Sequence, residues 1–293
     1  MSTENQQHNP FASIPALFKL RLSSLVIFSA IWGYLFHHTP EGWEWLELLW
    51  LLIGGLLVTG ASNGINQIIE VETDKKMDRT KERPLPAGRI SKKSAWAICI
   101  VTAVLGLGLL YFVFGWLTCL LSFSALFSYA FIYTPLKPIT PFAVFVGAFP
   151  GAIPPLLGWV AAADSFGLAG GILFIIQFIW QFPHFWAIAW VLEDDYSMGG
   201  FKLLPSAGGR DKSSAFQIYM YSLFLVPCGL LPYAFNFSGW IGAAVAIIAA
   251  LPIAYYSARL YRELTVEMAR KVMFSSFFYL PVALIAIVLD KLI

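Results

Sequence analysis

Long apolar runs recur along the chain at about 17–36, 46–66, 94–114, 116–134, 143–163, 167–192, 215–235, 239–258 and 272–290, separated by short polar stretches. Each run is near the roughly 20 residues that cross the hydrocarbon core of a bilayer as a helix. An open strand in lipid would leave backbone N–H and C=O groups unpaired, so each run is predicted to be a single helix. The pattern predicts an all-α integral membrane protein of about nine transmembrane helices. It forms one domain over 1–293 with a polar tail over 1–15.

Charge gives the runs a direction. Apart from Lys291, every basic residue falls before or just inside the first run, or in the loops after runs two, four, six and eight. The intervening loops, at 37–45, 115, 164–166 and 236–238, hold no Lys or Arg. Positive-inside logic places the N-terminus in the cytoplasm and the C-terminus outside. Trp43, Trp45, Trp50, Trp116, Trp159 and Trp240 then lie near the outer ends, where an aromatic belt accounts for them. The first 18 residues hold no Lys or Arg and lack a signal peptide's basic region, so the first run is expected to be kept as a span. Composition agrees: 58% of residues are hydrophobic and 12% charged, about half the charge of a soluble domain. Cys99, Cys119 and Cys228 sit inside apolar runs without CxxC spacing and are expected to be packing residues.

Orientation needs Lys and Arg but not carboxylates, yet most of the cytoplasmic acids fall in two clusters. One runs from Asn66 through Glu70, Glu72 and Asp74 to Asp78 at the end of the second run, and the other is Glu193-Asp194-Asp195 at the end of the sixth. On a continuing helix, Asn66, Glu70, Asp74 and Asp78 recur every four residues and drift only about 40° per step. Carboxylates repeated on one side repel, and they suit Mg²⁺, which binds through one or two carboxylates and shares its other positions with water and substrate phosphates. A solvated loop in which Lys75, Lys76 and Arg79 pair with the acids accounts for the same spacing. Arg79, Arg83 and Lys137 nearby are suited to gripping a diphosphate. No GxxxxGK[ST] loop occurs, which counts against nucleotide hydrolysis.

The run Asn66-xxx-Glu70-xx-Thr73-Asp74-xx-Met77-x-Arg79-Thr80-xx-Arg83-Pro-Leu-Pro-Ala-Gly88 closely resembles the signature of the UbiA-type intramembrane prenyltransferases. Gln181-Phe-Pro-His184-Phe-Trp, with Asp194-Asp195-Tyr196 and Gly147-Ala-Phe-Pro-Gly-Ala-Ile-Pro-Pro, is similar to the haem-farnesylating branch of that family. The likeness extends from about Lys19 to Pro281. It implies nine helices around a central cavity whose cytoplasmic mouth holds Mg²⁺ and a prenyl diphosphate. It also implies the reaction: farnesyl passes from farnesyl diphosphate to a vinyl group of haem b, and water addition leaves a hydroxyethylfarnesyl group, giving haem O. The middle residue of the first motif is Glu70 where the family usually has Asp. The second motif is EDDY rather than DxxxD, and Leu136-Lys137-Pro138 stands where LKR is common.

From this resemblance, Asn66, Glu70 and Asp74 are expected to hold one Mg²⁺, and Asp194 with Asp195 a second. Tyr133, Lys137, Arg79, Arg83 and Arg21 are expected at the diphosphate. His184, inside a span where an ionisable group is costly, is expected at the haem, as iron ligand or propionate partner. His37 and His38 fall in an exposed loop or face a haem entry route. The expected setting is the bacterial cytoplasmic membrane. The expected partners are the lipid bilayer and haem A synthase or oxidase assembly factors, with no nucleic acid. Two other readings stay open: an aromatic quinone precursor as acceptor, and a transporter. The transporter would want polar groups near the bilayer midplane.

Overall fold

The computed structural model describes residues 13–37 and 42–293. His38 and residues 1–12 of the expected polar tail lie outside the described residues. In chain order the helices are α1 (Ile14–Leu17), α2 (Leu20–His37), α3 (Trp45–Ile69), α4 (Val71–Asp74) and α5 (Lys92–Phe127). After a π-helical stretch at Ser128–Tyr133 follow α6 (Thr134–Leu136), α7 (Ala143–Ala163), α8 (Leu168–Val191) and α9 (Glu193–Met198). Three long helices close the chain: α10 (Lys212–Ala234), α11 (Trp240–Glu263) and α12 (Val266–Asp290).

Among the described residues, eight helical stretches are long and apolar enough to cross a membrane, and one of them, Lys92–Leu136, has 45 residues. A straight helix of that length would reach about 67 Å, more than twice the hydrocarbon core. Gly115 breaks it, with φ 85 and ψ −179, in a region open to glycine but strained for other residues. The stretch is therefore two spans joined at one residue, and the total is nine, as the apolar runs predict.

The first span begins at Leu20 rather than near 17. Lys19 takes a left-handed φ of 47 and turns the chain between α1 and α2. The turn is held by amides projecting from α3. Gln67 Nε2 donates to Leu17 O at 2.6 Å and Asn63 Nδ2 to Ser23 Oγ at 3.1 Å. Thus the end of the expected tail, Ile14 and Pro15, enters a short helix that continues to the fully buried Leu17.

The spans surround a central cavity. α3 packs on α5, α2 on α7, α7 on α8, and α12 on both α8 and α11. The α2–α7 crossing is close enough to forbid side chains: a Cβ on Gly33 would lie 2.0 Å from Pro155 O, and one on Gly158 1.8 Å from Ala30 O. Small residues that let backbones touch are a normal membrane solution. The π-helical stretch shifts the register at the end of the fourth span and brings Tyr129 and Tyr133 to the cavity wall.

Candidate active site

A cavity of about 440 Å³ opens among α2, α3, α8 and α12 and runs past the carboxylate end of α3. An apolar cavity of about 220 Å³ adjoins it and shares Tyr129, Tyr133, Gly151 and Gln181 in its wall. The larger cavity contains most of the residues expected at the diphosphate and metal.

α3 ends at Ile69 with Glu70 as its C-cap, and one short turn, α4, carries the chain on to Asp74. Thr73 Oγ1 donates to Glu70 O at 2.7 Å and Thr80 Oγ1 to Asp74 O at 2.9 Å, which fixes the turn. Asn66, Glu70 and Asp74 are consequently buried on one side, with 1%, 6% and 0% exposure. Each oxygen-bearing group meets a cation from a different part of the chain. Lys19 Nζ donates to Asn66 Oδ1 at 3.0 Å, and Lys137 Nζ lies 2.8 Å from Glu70 Oε1. Arg83 Nη1 reaches both oxygens of Asp74, at 2.9 and 2.8 Å. Asn66 Nδ2 also donates to Thr134 Oγ1 at 3.0 Å, tying α3 to the end of the fourth span.

Confining three cations has electrostatic consequences. Burial, aided by the nearby Arg83 and Lys137, lowers the Lys19 ammonium to about 7. Burial also pulls Lys137 down, but Glu70 and Tyr129 outweigh it and its pKa lies above the ordinary lysine value. Lys137 is further held over the rings of Tyr133 and Phe201, 4.7 and 5.6 Å from their centroids.

The four-residue repeat stops one step short of expectation. The helix ends at Asp74, so Asp78 turns to solvent and pairs with Lys81 at 2.6 Å. Glu72 behaves likewise, pairing with Lys75 at 3.1 Å. The solvated-loop reading therefore describes Glu72 and Asp78, while Glu70 and Asp74 belong to the cavity.

The second cluster splits. Asp195 faces the first cluster, with Arg79 Nε 3.7 Å from its Oδ2 and Arg79 N donating to its Oδ1 at 3.4 Å. Arg79 lines the cavity, with its guanidinium 5.5 Å from the Tyr196 ring centroid. Asp194 has a side chain 86% exposed and takes two bonds from Arg210, at 3.1 and 3.0 Å. Arg210 also caps α8 by donating to Trp190 O at 2.7 Å. Neither aspartate lines the cavity wall, but Asp195 is joined to it through Arg79 whereas Asp194 turns to solvent. Arg21 is also exposed and off that wall, and Lys19, two residues earlier, stands at the mouth in its place.

The donor set suits a hard cation. Asp195 Oδ2 is buried and accepts no hydrogen bond. Carboxylate and amide oxygens are the ligands Mg²⁺ takes. Among the described residues no three acid, His or Cys groups converge tightly enough to hold an ion alone. Mg²⁺ completes its octahedron with water and substrate phosphates, so it needs only a few protein oxygens.

Deeper in the cavity wall, His184 Nδ1 lies 2.8 Å from Ser276 Oγ, and that hydroxyl donates to Met273 O at 2.6 Å. A serine has one hydroxyl proton, and here it goes to the carbonyl. His184 is therefore the donor at Nδ1, so in the neutral ring Nε2 carries the lone pair. Trp180 stacks on the imidazole at 4.5 Å and donates its Nε1 to Ser276 O at 2.8 Å, holding the pair in place. His37 packs edge-on against Trp159 at 4.8 Å, far along α2 from the mouth.

Residues 26–280 match the model of the UbiA prenyltransferase family. The chain belongs to this family. A protoheme IX farnesyltransferase of Cytophaga hutchinsonii is 47% identical over 94% of this chain and 96% of its own length. One from Christiangramia forsetii is 47% identical over 98% and 97%. The fold matches a structure of digeranylgeranylglyceryl phosphate synthase with TM-score 0.78 at 20% identity, covering 96% of this chain and 98% of that one. It also matches a UbiA homologue from Archaeoglobus fulgidus bound to GPP and Mg²⁺, with TM-score 0.65 at 16% identity, covering 93% and 99%. The protein is therefore a multi-pass membrane prenyltransferase of UbiA fold.

Several members of its site carry little sequence signal. Asn63 and Gln67 were open to notice as amides in an apolar run, at i and i+4. The role of Lys19 depends on its left-handed turn, and Tyr129 reaches the wall only through the π-helical register.

Proposed function

We propose that the protein transfers the farnesyl group of farnesyl diphosphate to a vinyl group of haem b, giving haem O. The work is done by one domain in the bacterial cytoplasmic membrane, with the N-terminus and cavity mouth cytoplasmic and the C-terminus outside. One observation carries the reading: three cations, Lys19, Arg83 and the buried Lys137, meet three buried oxygen-bearing groups in a cavity whose wall also holds an oriented histidine. Full-length relatives called protoheme IX farnesyltransferase support the choice of acceptor.

Asn66, Glu70 and Asp74 would hold one Mg²⁺ once Lys19, Lys137 and Arg83 release them and turn to the diphosphate, and Asp195, rather than the solvated Asp194, would hold the second. When bound, the metal supplies positive charge to the departing diphosphate. Lys19, Arg83 and Lys137 add fixed charge, and Arg79 and Tyr133 line the same mouth. The adjoining apolar cavity suits a hydrocarbon tail and keeps water from the allylic cation. His184, with Nε2 free, would meet the haem iron. Product would pass to haem A synthase or an oxidase assembly partner.

The test is incubation of membranes with labelled farnesyl diphosphate and either haem b or a hydroxybenzoate, with and without chelator. Label in haem alone, abolished by chelation, is expected. Label in the aromatic acid, or full activity after exhaustive chelation, overturns the reading. For the histidine, His184→Ala is expected to shift the bound-haem absorption band and raise the haem KM.

A further inference from the structure

The apolar cavity beside the candidate active site has two ends of different character. At one end Leu22, Val26, Tyr129, Tyr133, Gly151 and Gln181 belong to both cavities, so it opens into the mouth where the cations gather. At the other, Ala30, Gly55, Val58, Ser122 and Leu157 line the apolar cavity alone. These five come from α2, α3, the second half of α5 and α7, and all are buried. Leu22, at the shared end, is exposed. The deep end is therefore shut by protein on every helix that reaches it.

Polar structure backs that floor. One turn beyond Ala30, Tyr34 is fully buried and donates its hydroxyl to Glu47 Oε2 at 2.6 Å. Glu47 itself lies about two turns beyond Gly55 on α3. A hydrocarbon end gains nothing by pressing into a hydrogen-bonded pair of this kind. The polar side chains of the wall spend their protons on the protein itself. Ser122 Oγ donates to Thr118 O at 2.8 Å, and Asn63 Nδ2 donates to Ser23 Oγ at 3.1 Å.

The helices also give the depth. The lining runs from Leu22 to Ala30 on α2 and from Gly147 to Leu157 on α7, about 12 and 15 Å at the rise of a helix. An isoprene unit adds four chain bonds, about 5 Å when extended. Three units fill such a cavity, and a fourth meets its floor.

We propose that this floor measures the prenyl tail, with Ser122 and Leu157 the residues that select farnesyl over shorter and longer chains. The inference rests on the reading in Proposed function, which puts the diphosphate at the mouth and the tail in this cavity. A geranyl tail leaves the deep end unfilled and forfeits its burial. A geranylgeranyl tail has to fold back toward the mouth or displace the floor, and either one moves its C1 away from the cations.

The experiment gives purified full-length wild type, Ser122→Leu and Leu157→Ala an equimolar mixture of geranyl, farnesyl and geranylgeranyl diphosphates with haem b. The haem products are weighed by mass spectrometry. Inhibition by inorganic pyrophosphate, which has no tail, is measured alongside. Leucine at 122 fills the deep end, and the ratio of geranyl to farnesyl product is expected to rise by about tenfold or more, the weight of a methylene in an apolar pocket. Alanine at 157 deepens the cavity, and the ratio of geranylgeranyl to farnesyl product is expected to rise by a similar factor. Pyrophosphate inhibition is expected to stay as in wild type, because neither change touches the mouth. Wild-type ratios in either variant overturn the proposal, and so does a wild type that takes all three tails equally. Loss of pyrophosphate inhibition in both variants makes the floor structural and also overturns it. If wild type prenylates no haem, the proposed function fails instead, and the same ratios are read on the aromatic acid that it does prenylate.

Discussion

The two acidic clusters look alike in sequence, and the structure treats them differently. In the first, Glu70 and Asp74 are buried and each is matched by a cation brought from outside the cluster, Lys137 from beyond the fourth span and Arg83 from the following loop. In the second, Asp194 is 86% exposed and Asp195 15%, and they pair with different arginines, Arg210 and Arg79. A buried pair is poorly screened and costly to break, whereas an exposed pair contributes about 0–1 kcal/mol. What separates the clusters is therefore the surrounding dielectric more than the number of carboxylates.

The sharpest way to break the comparison is at its buried extreme. Asp74→Ala removes a proposed metal ligand and strands Arg83. Turnover is expected to fall by about 10³-fold or more, in line with losing several kcal/mol of leaving-group stabilisation. The protein should still reach the membrane fraction, because its spans do not depend on the cavity mouth. Near-normal haem O formation would place the chemistry elsewhere.

Next in size is Lys137→Met, which leaves Glu70 buried without its cation. The KM for farnesyl diphosphate is expected to rise by about 10²-fold, and thermal stability to drop by an amount typical of a broken buried pair, about 3–5 kcal/mol. Adding Glu70→Gln should recover most of the stability but none of the KM. Recovery of both would make the pair purely structural.

Much of the first region was legible in the chain itself. The spans were readable because a bilayer admits few alternatives to the helix, and 143–163 coincides with α7. Even the break at 115 shows as a gap between two apolar runs. Asn66, Glu70 and Asp74 were readable because a four-residue period keeps one side. Asp78 misled because the period assumes a helix that ends at Asp74. The second region resisted for a geometric reason. Adjacent residues on a helix point about 100° apart, so of Asp194 and Asp195 only one can meet the cavity-lining Arg79. Which one it is depends on how α9 docks, and Arg79 and Arg210 decide that from 116 and 16 residues away. Lys19 and Arg21 differ in the same way: a left-handed turn at residue 19 presents one to the cavity and leaves the other exposed.

Within the second cluster the contrast can be measured directly. Asp195→Asn keeps the shape but removes the charge from a buried oxygen that accepts no hydrogen bond. A fall of about tenfold in kcat is expected, with a weaker response to Mg²⁺ concentration.

Asp194→Asn is the smallest change and the most discriminating. The asparagine still accepts from Arg210, and Arg210 keeps its bond to Trp190 O, so the α8 end remains capped. A solvated carboxylate off the cavity wall should cost no more than about twofold in kcat, within the range of an exposed ion pair. Titrating Mg²⁺ against turnover in the two asparagine variants side by side makes the distinction quantitative. Only the Asp195 curve is expected to move to higher metal. Were the Asp194 curve to move instead, α9 would have to turn by about a quarter-circle when substrate binds, bringing Asp194 inward and breaking its bond to Arg210. In that event Arg210→Gln, which frees Asp194 in advance, should raise activity rather than leave it unchanged.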